Sequence, residues 1–422
     1  MRRLADHLVR HYTSAVSELN PYQLRKEFPI LNQEINGRPL TYLDNAATTQ
    51  KPLCVLDSSR HYYEKINSNI HRGVHHLSQK ATAAHEEARE TISKHLNADR
   101  PEEIIFTSGT TDSVNLVAGA LAKSDHFQAG DEIIVSGLEH HSNTVPWQML
   151  CEQLGITLKV IPVLDDGTLD LTAYQALLNT RTKLVSVNHI SNAFGTVNNV
   201  IHICEEARKV GALTFIDGAQ SIPHLLIDLK SINCDFYAFS GHKIYAPTGI
   251  GILYGRYSHL CDLPPWRGGG EMIKEVSFEK TTYNDPPFKY EAGTPNIEGA
   301  IALAAAIDFV NNLGMTRIAA HESKLIKHAA AVLSELDEIT LYGPAERAGA
   351  LSFNFKGIHP FDLGTLLDQM GFALRTGHHC CQPLMSRFEI PGTLRASFAA
   401  YNTLEEVDAL GEAVKKALMM LR

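Results

Sequence analysis

The segment "LRTGHHCCQPLM", residues 374–385, places two histidines directly before two cysteines. Imidazoles and thiols in this order could bind zinc, form a disulfide or supply a nucleophilic thiolate. Zinc ligands normally occur as spaced pairs that close a tetrahedral site, whereas these four residues are consecutive. We therefore predict no metal site here, and the residues alone leave open which of Cys380 and Cys381 would be a nucleophile.

A lysine and an aspartate follow two apolar runs that we predict to be buried strands. "TFIDGAQS" places Asp217 at the end of one predicted strand. "YAFSGHKIYAPTGIG" places Lys243 directly after another predicted strand, in a tight turn. A desolvated lysine can lose its proton and attack a carbonyl, and a buried carboxylate requires a partner. This pair matches pyridoxal phosphate, whose aldehyde needs a lysine and whose pyridine nitrogen needs an acid to stay protonated. The alternative for Lys243 is a solvated surface side chain.

The segment "FTSGTTDSVN" places small and hydroxyl residues between a strand and a helix start. Free N–H groups and the dipole at a helix N-terminus favour a phosphate there, so Gly109, Thr110 and Thr111 are candidate phosphate ligands. A plain N-cap role for either threonine is the alternative. The lysine of a Walker A loop is missing.

Short apolar runs alternate with helix-sized segments between about residues 100 and 255. The predicted strands are 103–106, 132–135, 158–163, 183–187, 212–217, 236–239 and 250–255. Continuous apolar runs are typical of strands buried on both faces, which predicts an α/β fold with a mostly parallel sheet covered by helices. Ligands bind at the carboxyl ends of such strands.

The pattern changes after "PWRGGGEMI", where a polar stretch leads into a helical segment at 297–312. Strands near 350–355 and 394–398 and a last helix near 404–421 predict a smaller α+β domain. We divide the chain into an amphipathic N-terminal helix at 1-20, a large cofactor-binding domain at 36-295, and a small domain at 21-35 and 296-422 that carries the cysteine loop.

Composition excludes several classes of protein. A net charge of −9 does not indicate binding to nucleic acid or to an anionic membrane, both of which are negatively charged. No segment approaches the ~18 consecutive apolar residues that a membrane span requires. The seven cysteines form no C-x-x-C pair, which indicates a reducing compartment, here taken as the cytoplasm.

Ten ordered segments from about residue 22 onward resemble the group II cysteine desulfurases. These are the Suf- and Csd-type enzymes among the class V aminotransferase-like, fold type I pyridoxal phosphate proteins. The matching segments are "LDNAATTQKP", "HRGVHHLS", "SGTTDSVNL", "EHHSNTVPWQ", "SNAFGT", "IDGAQS", "FYAFSGHKIYAPTGIGILYG", "GGGEMI", "EAGTPN" and "LRTGHHCCQP…TLRASFAAYNT".

The resemblance implies a cofactor role for ten residues. Lys243 would hold pyridoxal phosphate covalently, Asp217 would pair with the pyridine nitrogen, and His140 would stack on the ring. The other expected cofactor contacts are Gln220 and Asn192 near the phenolic oxygen, Thr110, Thr111, Ser240 and His242 at the phosphate, and Thr294 at the phosphate of the other subunit of a homodimer.

The resemblance also assigns the nucleophile and the substrate clamp. Arg395 would bind the substrate's α-carboxylate beside Asn192, although a structural ion pair is the alternative. Cys380 directly follows "R-T-G-H-H" and would be the nucleophile. Alanine usually follows it, so Cys381 is a departure: we favour a bystander over a resolving thiol or a redox liability. His71 and Arg72 would have a structural or substrate-gating role.

The implied activity converts L-cysteine to L-alanine and leaves a persulfide on Cys380, with Lys243 and His140 as the other catalytic groups. A small acceptor protein of SufE/CsdE or SufU type would then carry the sulfur to iron–sulfur cluster assembly. Selenocysteine lyase (with L-selenocysteine as substrate) and cysteine sulfinate desulfinase are the alternatives within the same chemistry. A non-catalytic scaffold with this fold is a further alternative.

Overall fold

The computed structural model describes residues 18–422. The predicted N-terminal helix at 1-20 lies almost entirely outside the described residues. The strands, in chain order, are β1 (Glu34–Ile35), β2 (Arg38–Pro39), β3 (Thr41–Tyr42), β4 (Ile104–Thr107), β5 (Glu132–Ser136), β6 (Thr157–Ile161), β7 (Thr182–Asn188), β8 (Leu213–Asp217), β9 (Phe236–Ser240), β10 (Gly251–Gly255), β11 (Ile273–Val276), β12 (Thr281–Tyr283), β13 (Ile339–Tyr342), β14 (Ala350–Phe355), β15 (Phe372–Ala373), β16 (Arg375–Gly377) and β17 (Thr393–Ser397).

The α-helices connect and cover these strands. In chain order they are α1 (Pro21–Leu24), α2 (Leu53–His61), α3 (His76–His95), α4 (Thr110–Ala122), α5 (Val145–Leu154), α6 (Leu171–Leu177), α7 (Val200–Lys209), α8 (Leu229–Ile232), α9 (Tyr257–Asp262), α10 (Ile297–Leu313), α11 (Met315–Ser334), α12 (Pro360–Gln369), α13 (Gln382–Arg387) and α14 (Leu404–Leu421).

A seven-stranded sheet in the order β4-β10-β9-β8-β7-β5-β6 forms the centre of the larger part. Every neighbouring pair is parallel except the two pairs made by β10, which runs opposite to β4 and β9. This confirms the predicted α/β fold with a mostly parallel sheet. All seven predicted strands are present, with ends that differ by at most two residues.

Helices cover both faces of this sheet because its side chains alternate between two apolar cores. Along β5, Ile134 belongs to one cluster, whereas Ile133 and Val135 belong to the other. The first cluster also contains Ile203 of α7, and the second contains Trp147 of α5. Both faces are therefore dry, as the continuous apolar runs predict.

A second, four-stranded sheet has the order β13-β14-β17-β16 and is antiparallel throughout. Its core joins Phe353 of β14 to Leu363 of α12 and Leu410 of α14. The parallel pair of β3 and β15 links the N-terminal segment to this region. The limits of the predicted domains stay a prediction.

Among residues 18–422, no single helix is long and apolar enough to cross a membrane. Helices α10 and α11 would meet the requirement together on length and composition alone, with a bend of 76° between them. Their apolar faces lie in the cores described above.

Candidate active site

A cavity of about 190 Å³ lies where β7, β8 and β9 end. It collects nearly all of the predicted site residues, which come from both sheets. The cavity is lined by Ala46, Ala47, Thr110, Thr111, His140, Ser142, Asn188, Ile190, Asn192, Asp217, Ala219, Gln220, Ser240, His242, Lys243, Arg375, His379, Cys380 and Arg395. Thr294 is not among these residues, so its predicted contribution from a second subunit stays a prediction.

Lys243 and Asp217 face the same cavity from adjacent strand ends. Asp217 is the last residue of β8, and Lys243 lies in the short 3-10 turn after β9. Burial lowers the pKa of Lys243, and the negative charge of Asp217 partly opposes this. Burial likewise raises the pKa of Asp217, and Lys243 partly opposes it. The pair thus provides an amine that loses its proton easily beside a buried carboxyl group.

The N-terminus of α4 forms the base of the cavity. Gly109 precedes the helix with φ of 147°, and Ser240 Oγ accepts a hydrogen bond of 2.9 Å from Thr110 N. A side chain at Gly251 would meet the Gly109 Cα at 2.4 Å, so β10 and the loop approach closely only because both residues are glycines. The result is a narrow cradle of N–H and hydroxyl groups suited to a phosphate.

His242 supports this assignment because part of its ring has no partner. Its buried Nδ1 makes no hydrogen bond with any described residue, and burial lowers the pKa of the ring to about 4. Buried polar atoms are normally satisfied, so the unpaired nitrogen indicates a group that completes the site. A phosphorylated cofactor whose phosphate would be held by Thr111, Ser240 and His242, and which would react with Lys243, fits these features.

His140 is held in a fixed tautomer by the turn that follows it. Ser142 N donates to its Nδ1 at 3.1 Å, and burial, followed by the charge of Lys243, lowers the pKa of His140 to about 3. The ring is therefore neutral, with its proton on Nε2.

Glu139, which precedes His140, anchors this turn to the sheet. Its carboxyl oxygens accept hydrogen bonds from Asn143 Nδ2 at 2.7 Å and from Asn188 N at 2.9 Å, while burial raises its pKa to about 8.

Arg395 enters the cavity from β17 of the second sheet. Its Nη1 donates to Asn192 O at 2.8 Å and its Nη2 donates to Asp44 Oδ1 at 2.9 Å. Its Nε is buried and unpaired with any described residue. Sequence reasoning missed Asp44 and Arg375, the residue opposite Arg395 on β16, whose Nη1 lies 3.8 Å from Asp44 Oδ2. Asp44 lies in "LDNAATTQKP" and Arg375 lies in "LRTGHHCCQP". Both segments carry the family resemblance, which was the signal that could have identified these residues.

The two adjacent cysteines have opposite surroundings. Cys380 is half-buried and lines the cavity, whereas Cys381 is fully buried. The Cys381 thiol donates to Asn192 Oδ1 at 3.0 Å, and burial raises its pKa to about 12. The predicted bystander role of Cys381 is consistent with this burial, and Cys380 is the thiol that a ligand in the cavity can reach.

Neighbouring histidines do not join the cysteines in a metal site. His379 Nε2 lies 2.8 Å from Thr393 Oγ1, and the Cys381 thiol donates to Asn192 Oδ1, so these two side chains have different partners. Within residues 18–422, no group of three or more histidine, cysteine, aspartate or glutamate side chains is placed to hold a metal.

Four other predicted residues are engaged with the protein itself. Asn192 Nδ2 donates to His379 O at 2.7 Å, and Gln220 Nε2 donates to Ala46 O at 2.7 Å, although both residues line the cavity. His71 Nε2 lies 3.0 Å from Glu86 Oε1, and Arg72 Nε lies 3.3 Å from Glu271 Oε1. Neither His71 nor Arg72 lines the cavity, and their roles stay predictions.

Comparisons with known proteins agree with this geometry. The family described as aminotransferase class-V matches residues 41–410. A protein of Dickeya dadantii named cysteine desulfurase is 49% identical over 92% of this chain and 94% of its own length. A probable cysteine desulfurase of Halalkalibacterium halodurans is 47% identical over 94% of this chain and 98% of its own.

Solved structures give the same result. A cysteine desulfurase of Thermococcus onnurineus, solved in its apo form, has a TM-score of 0.91 and 40% identity, and covers 96% of this chain and 100% of its own. The cysteine desulfurase CsdA of Escherichia coli has a TM-score of 0.88 and 38% identity, and covers 95% and 99%.

The chain belongs to the class-V aminotransferase family. This membership, together with Lys243 and Asp217 in one cavity, confirms the prediction of a pyridoxal phosphate enzyme. The names of the relatives agree with the predicted subclass.

Proposed function

We propose that this protein is a cysteine desulfurase that converts L-cysteine to L-alanine and keeps the sulfur as a persulfide on Cys380. One observation carries the proposal: Cys380, Lys243 and Arg395 face a single cavity although they come from distant parts of the chain. A thiol, a low-pKa lysine and a carboxylate-binding arginine together are what sulfur removal from an amino acid requires.

The cofactor supplies an electron sink that weakens the bonds of the substrate's α- and β-carbons. Thr111, Ser240, His242 and the N-terminus of α4 would hold its phosphate, Asp217 would keep its pyridine nitrogen protonated, and Lys243 would be its covalent attachment point. Arg395 binds the α-carboxylate of L-cysteine in a planar fork and so points the β-carbon towards Cys380.

Proton and sulfur transfer then fall to three side chains. Lys243 takes the α-proton, because its lowered pKa leaves the amine free to act as a base. The Cys380 thiolate gives the electron pair for a new sulfur–sulfur bond, the carbon–sulfur bond breaks, and its pair stays with the β-carbon. That carbon gains a proton and becomes the methyl group of alanine: His140 can pass on its Nε2 proton as its Nδ1 takes up another from Ser142 Oγ, 2.8 Å away. Lys243 then returns the α-proton, so that the net proton gained by the product is the one lost by the Cys380 thiol.

The finer aspects of the proposal concern partners. A homodimer would place Thr294 of one subunit at the phosphate of the other. A small acceptor protein of SufE/CsdE or SufU type would receive the sulfur in the cytoplasm for iron–sulfur cluster assembly. The half-buried position of Cys380 at the cavity supports transfer to such an acceptor.

The decisive experiment measures alanine release from L-cysteine, with dithiothreitol present, by wild type, Cys380→Ser and Cys381→Ser. We expect Cys380→Ser to lose activity by a factor on the order of 10³ or more, as for removal of other nucleophiles. Cys381→Ser should retain most of it, since its thiol is buried away from the cavity.

Other results would redirect the assignment. Loss in the Cys381 variant alone would move the nucleophile by one residue. Full activity in both variants would exclude thiolate attack and point to lyase chemistry on selenocysteine or cysteine sulfinate.

A further inference from the structure

His141 makes two contacts that bracket the two cysteines. Its backbone N donates to Cys380 O at 2.8 Å, and its side-chain Nε2 accepts a hydrogen bond of 3.1 Å from Gln382 N. His141 immediately follows His140, the predicted ring-stacking residue, on the turn after β5. One dipeptide therefore joins the cofactor face of the cavity to the loop that carries the nucleophile.

The backbone of the cysteine loop is strained next to the residues that His141 contacts. His379 and Cys380 are consecutive non-glycine residues with φ of 52° and 56°, in the left-handed region that L-residues rarely adopt. Such residues persist only when surrounding contacts hold them, and they would relax when those contacts are lost. The contacts from His141 to Cys380 O and Gln382 N are placed to provide this restraint.

The hydrogen bond from Gln382 N to His141 also satisfies a backbone N–H that has no acceptor within its own helix. Gln382 is the first residue of α13, so its N–H has no acceptor within that helix. Because a backbone N–H can only donate, His141 Nε2 must be the unprotonated nitrogen of a neutral ring. His140 and His141 thus have opposite tautomers: His140 accepts at Nδ1 and His141 accepts at Nε2.

We propose that His141 is a positioning residue that holds the Cys380 loop against the cavity through these two contacts. This inference rests on the proposed function, in which Cys380 must reach the substrate and then deliver its sulfur elsewhere. In the docked loop Cys380 faces the cavity, and breaking the Gln382–His141 bond frees the loop for the transfer step. His141 itself does not line the cavity, so its effect on the chemistry is exerted through Cys380.

The test is the rate at which iodoacetamide alkylates Cys380 in the cofactor-loaded enzyme, read by mass spectrometry of the Cys380 peptide. His141→Ala removes the side-chain acceptor but keeps the backbone contact. We expect the Cys380 rate to rise about fivefold, the factor for one lost hydrogen bond. The exposed Cys54 and Cys261 report intrinsic reagent reactivity in the same sample and should not change.

Two further variants distinguish positioning from general loosening. His141→Gln places an amide oxygen where Nε2 lies and should restore slow alkylation. His359→Ala removes a matched contact, the imidazole Nδ1 that accepts from Phe361 N at 3.3 Å at the start of α12, and should leave Cys380 unchanged. An unchanged rate in His141→Ala, an equal rise in His359→Ala, or no rescue by His141→Gln would each overturn the proposal.

Alkylation needs no substrate, so this test is independent of the proposed reaction. The cofactor absorbance of His141→Ala should match wild type, since Lys243 and His140 are untouched. Absence of cysteine desulfurase activity in wild type, combined with the expected alkylation pattern, would refute the proposed function and leave the loop restraint standing.

Discussion

Arg395 donates two hydrogen bonds from its guanidinium terminus and keeps its Nε buried without a described partner. A residue kept only for an ion pair with Asp44 would not need this position on the cavity wall. The unpaired donor instead provides a site for one oxygen of an incoming carboxylate. At the scale of single residues, this argues for the substrate-binding interpretation over the purely structural one.

Arg395→Lys keeps the charge but loses the planar fork, so binding of the α-carboxylate should weaken. We expect the KM for L-cysteine to rise roughly 10- to 100-fold, because a hydrogen bond to a charged group contributes about 1.5–3 kcal/mol. Steady-state kinetics and cofactor absorbance check this. A lowered melting temperature with an unchanged KM would show that Arg395 only supports the structure.

Single residues also show where sequence reasoning ended. The opposed directions of Cys380 and Cys381 could be anticipated, because adjacent side chains commonly point apart. Arg375 lies in a segment that carries the resemblance, but its approach to Arg395 could not be read from the sequence, because only the antiparallel register of β16 with β17 brings the two residues opposite each other. Likewise, Asp44 reaches Arg395 across 351 residues of sequence, and no local pattern encodes that contact.

At the scale of elements, the phosphate cradle depends on how closely β10 approaches the N-terminus of α4. Gly251 pairs with Thr107 and Ser240 on its two sides, and a Cβ there would lie 2.7 Å from Phe239 O and 2.4 Å from Gly109 Cα. Both contacts are with backbone atoms, which cannot move aside as a flexible side chain could. The geometry of the cradle is thus set by the absence of one methyl group.

Gly251→Ala should displace the cradle and weaken cofactor binding. Overpacking of this kind costs about 1–3 kcal/mol, so we expect affinity for pyridoxal phosphate to fall about tenfold or more. Titration of the apo-protein, followed by absorbance, measures it. Gly268→Ala, where an added methyl group meets open space, is the matched control. Equal affinity in the two variants would contradict the close approach.

The strands of the large sheet were predictable because their apolar runs are continuous and each is followed by polar residues. The reversed direction of β10 was not predicted, because "IGILYG" is as apolar as its parallel neighbours, although the length of the connection before it carries the signal. Only 10 residues separate β9 from β10, from 241 to 250, which is too few for a crossover helix of ordinary length.

At the scale of the whole molecule, the cavity depends on both sheets staying in place together. Segment 43–46 ties them: Ser397 N of β17 donates to Leu43 O at 2.7 Å, and Gln220 Nε2, three residues after β8, donates to Ala46 O at 2.7 Å. Lys243 and Asp217 come from one sheet and Arg395 from the other, so loss of overall folding removes the site at once. Conditions that unfold the protein are therefore expected to abolish activity in the same transition.

Acid is such a condition because several buried histidines are held neutral. His85 is fully buried in α3, neither ring nitrogen has a hydrogen-bond partner among described residues, and its ring lies 4.7 Å from Phe106. Burial, and then the charge of Arg89, lowers its pKa to about 3. Glu139, with its pKa raised to about 8, acts in the opposite direction, since the folded state binds its proton more readily.

For His85 the sign is clear. Below the ordinary histidine pKa of about 6.5, the unfolded chain takes up a proton that the folded protein refuses. The free energy of unfolding should therefore fall by about 1.4 kcal/mol per pH unit on this account until pH reaches the folded-state pKa near 3. The contribution of His85 to the free energy of unfolding is therefore undiminished only above the pKa of histidine in the unfolded chain, about 6.5.

His85→Phe keeps a ring of similar size, removes both unpaired nitrogens, and abolishes this proton uptake. We expect the variant to lose less stability than wild type between pH 7 and 5, with the difference growing by up to about 1.4 kcal/mol per pH unit below pH 6.5. Urea unfolding of the cofactor-loaded enzyme at several pH values measures it. Parallel pH profiles for the two proteins would show that His85 is protonated in the folded state, and the burial argument would then be wrong for this residue.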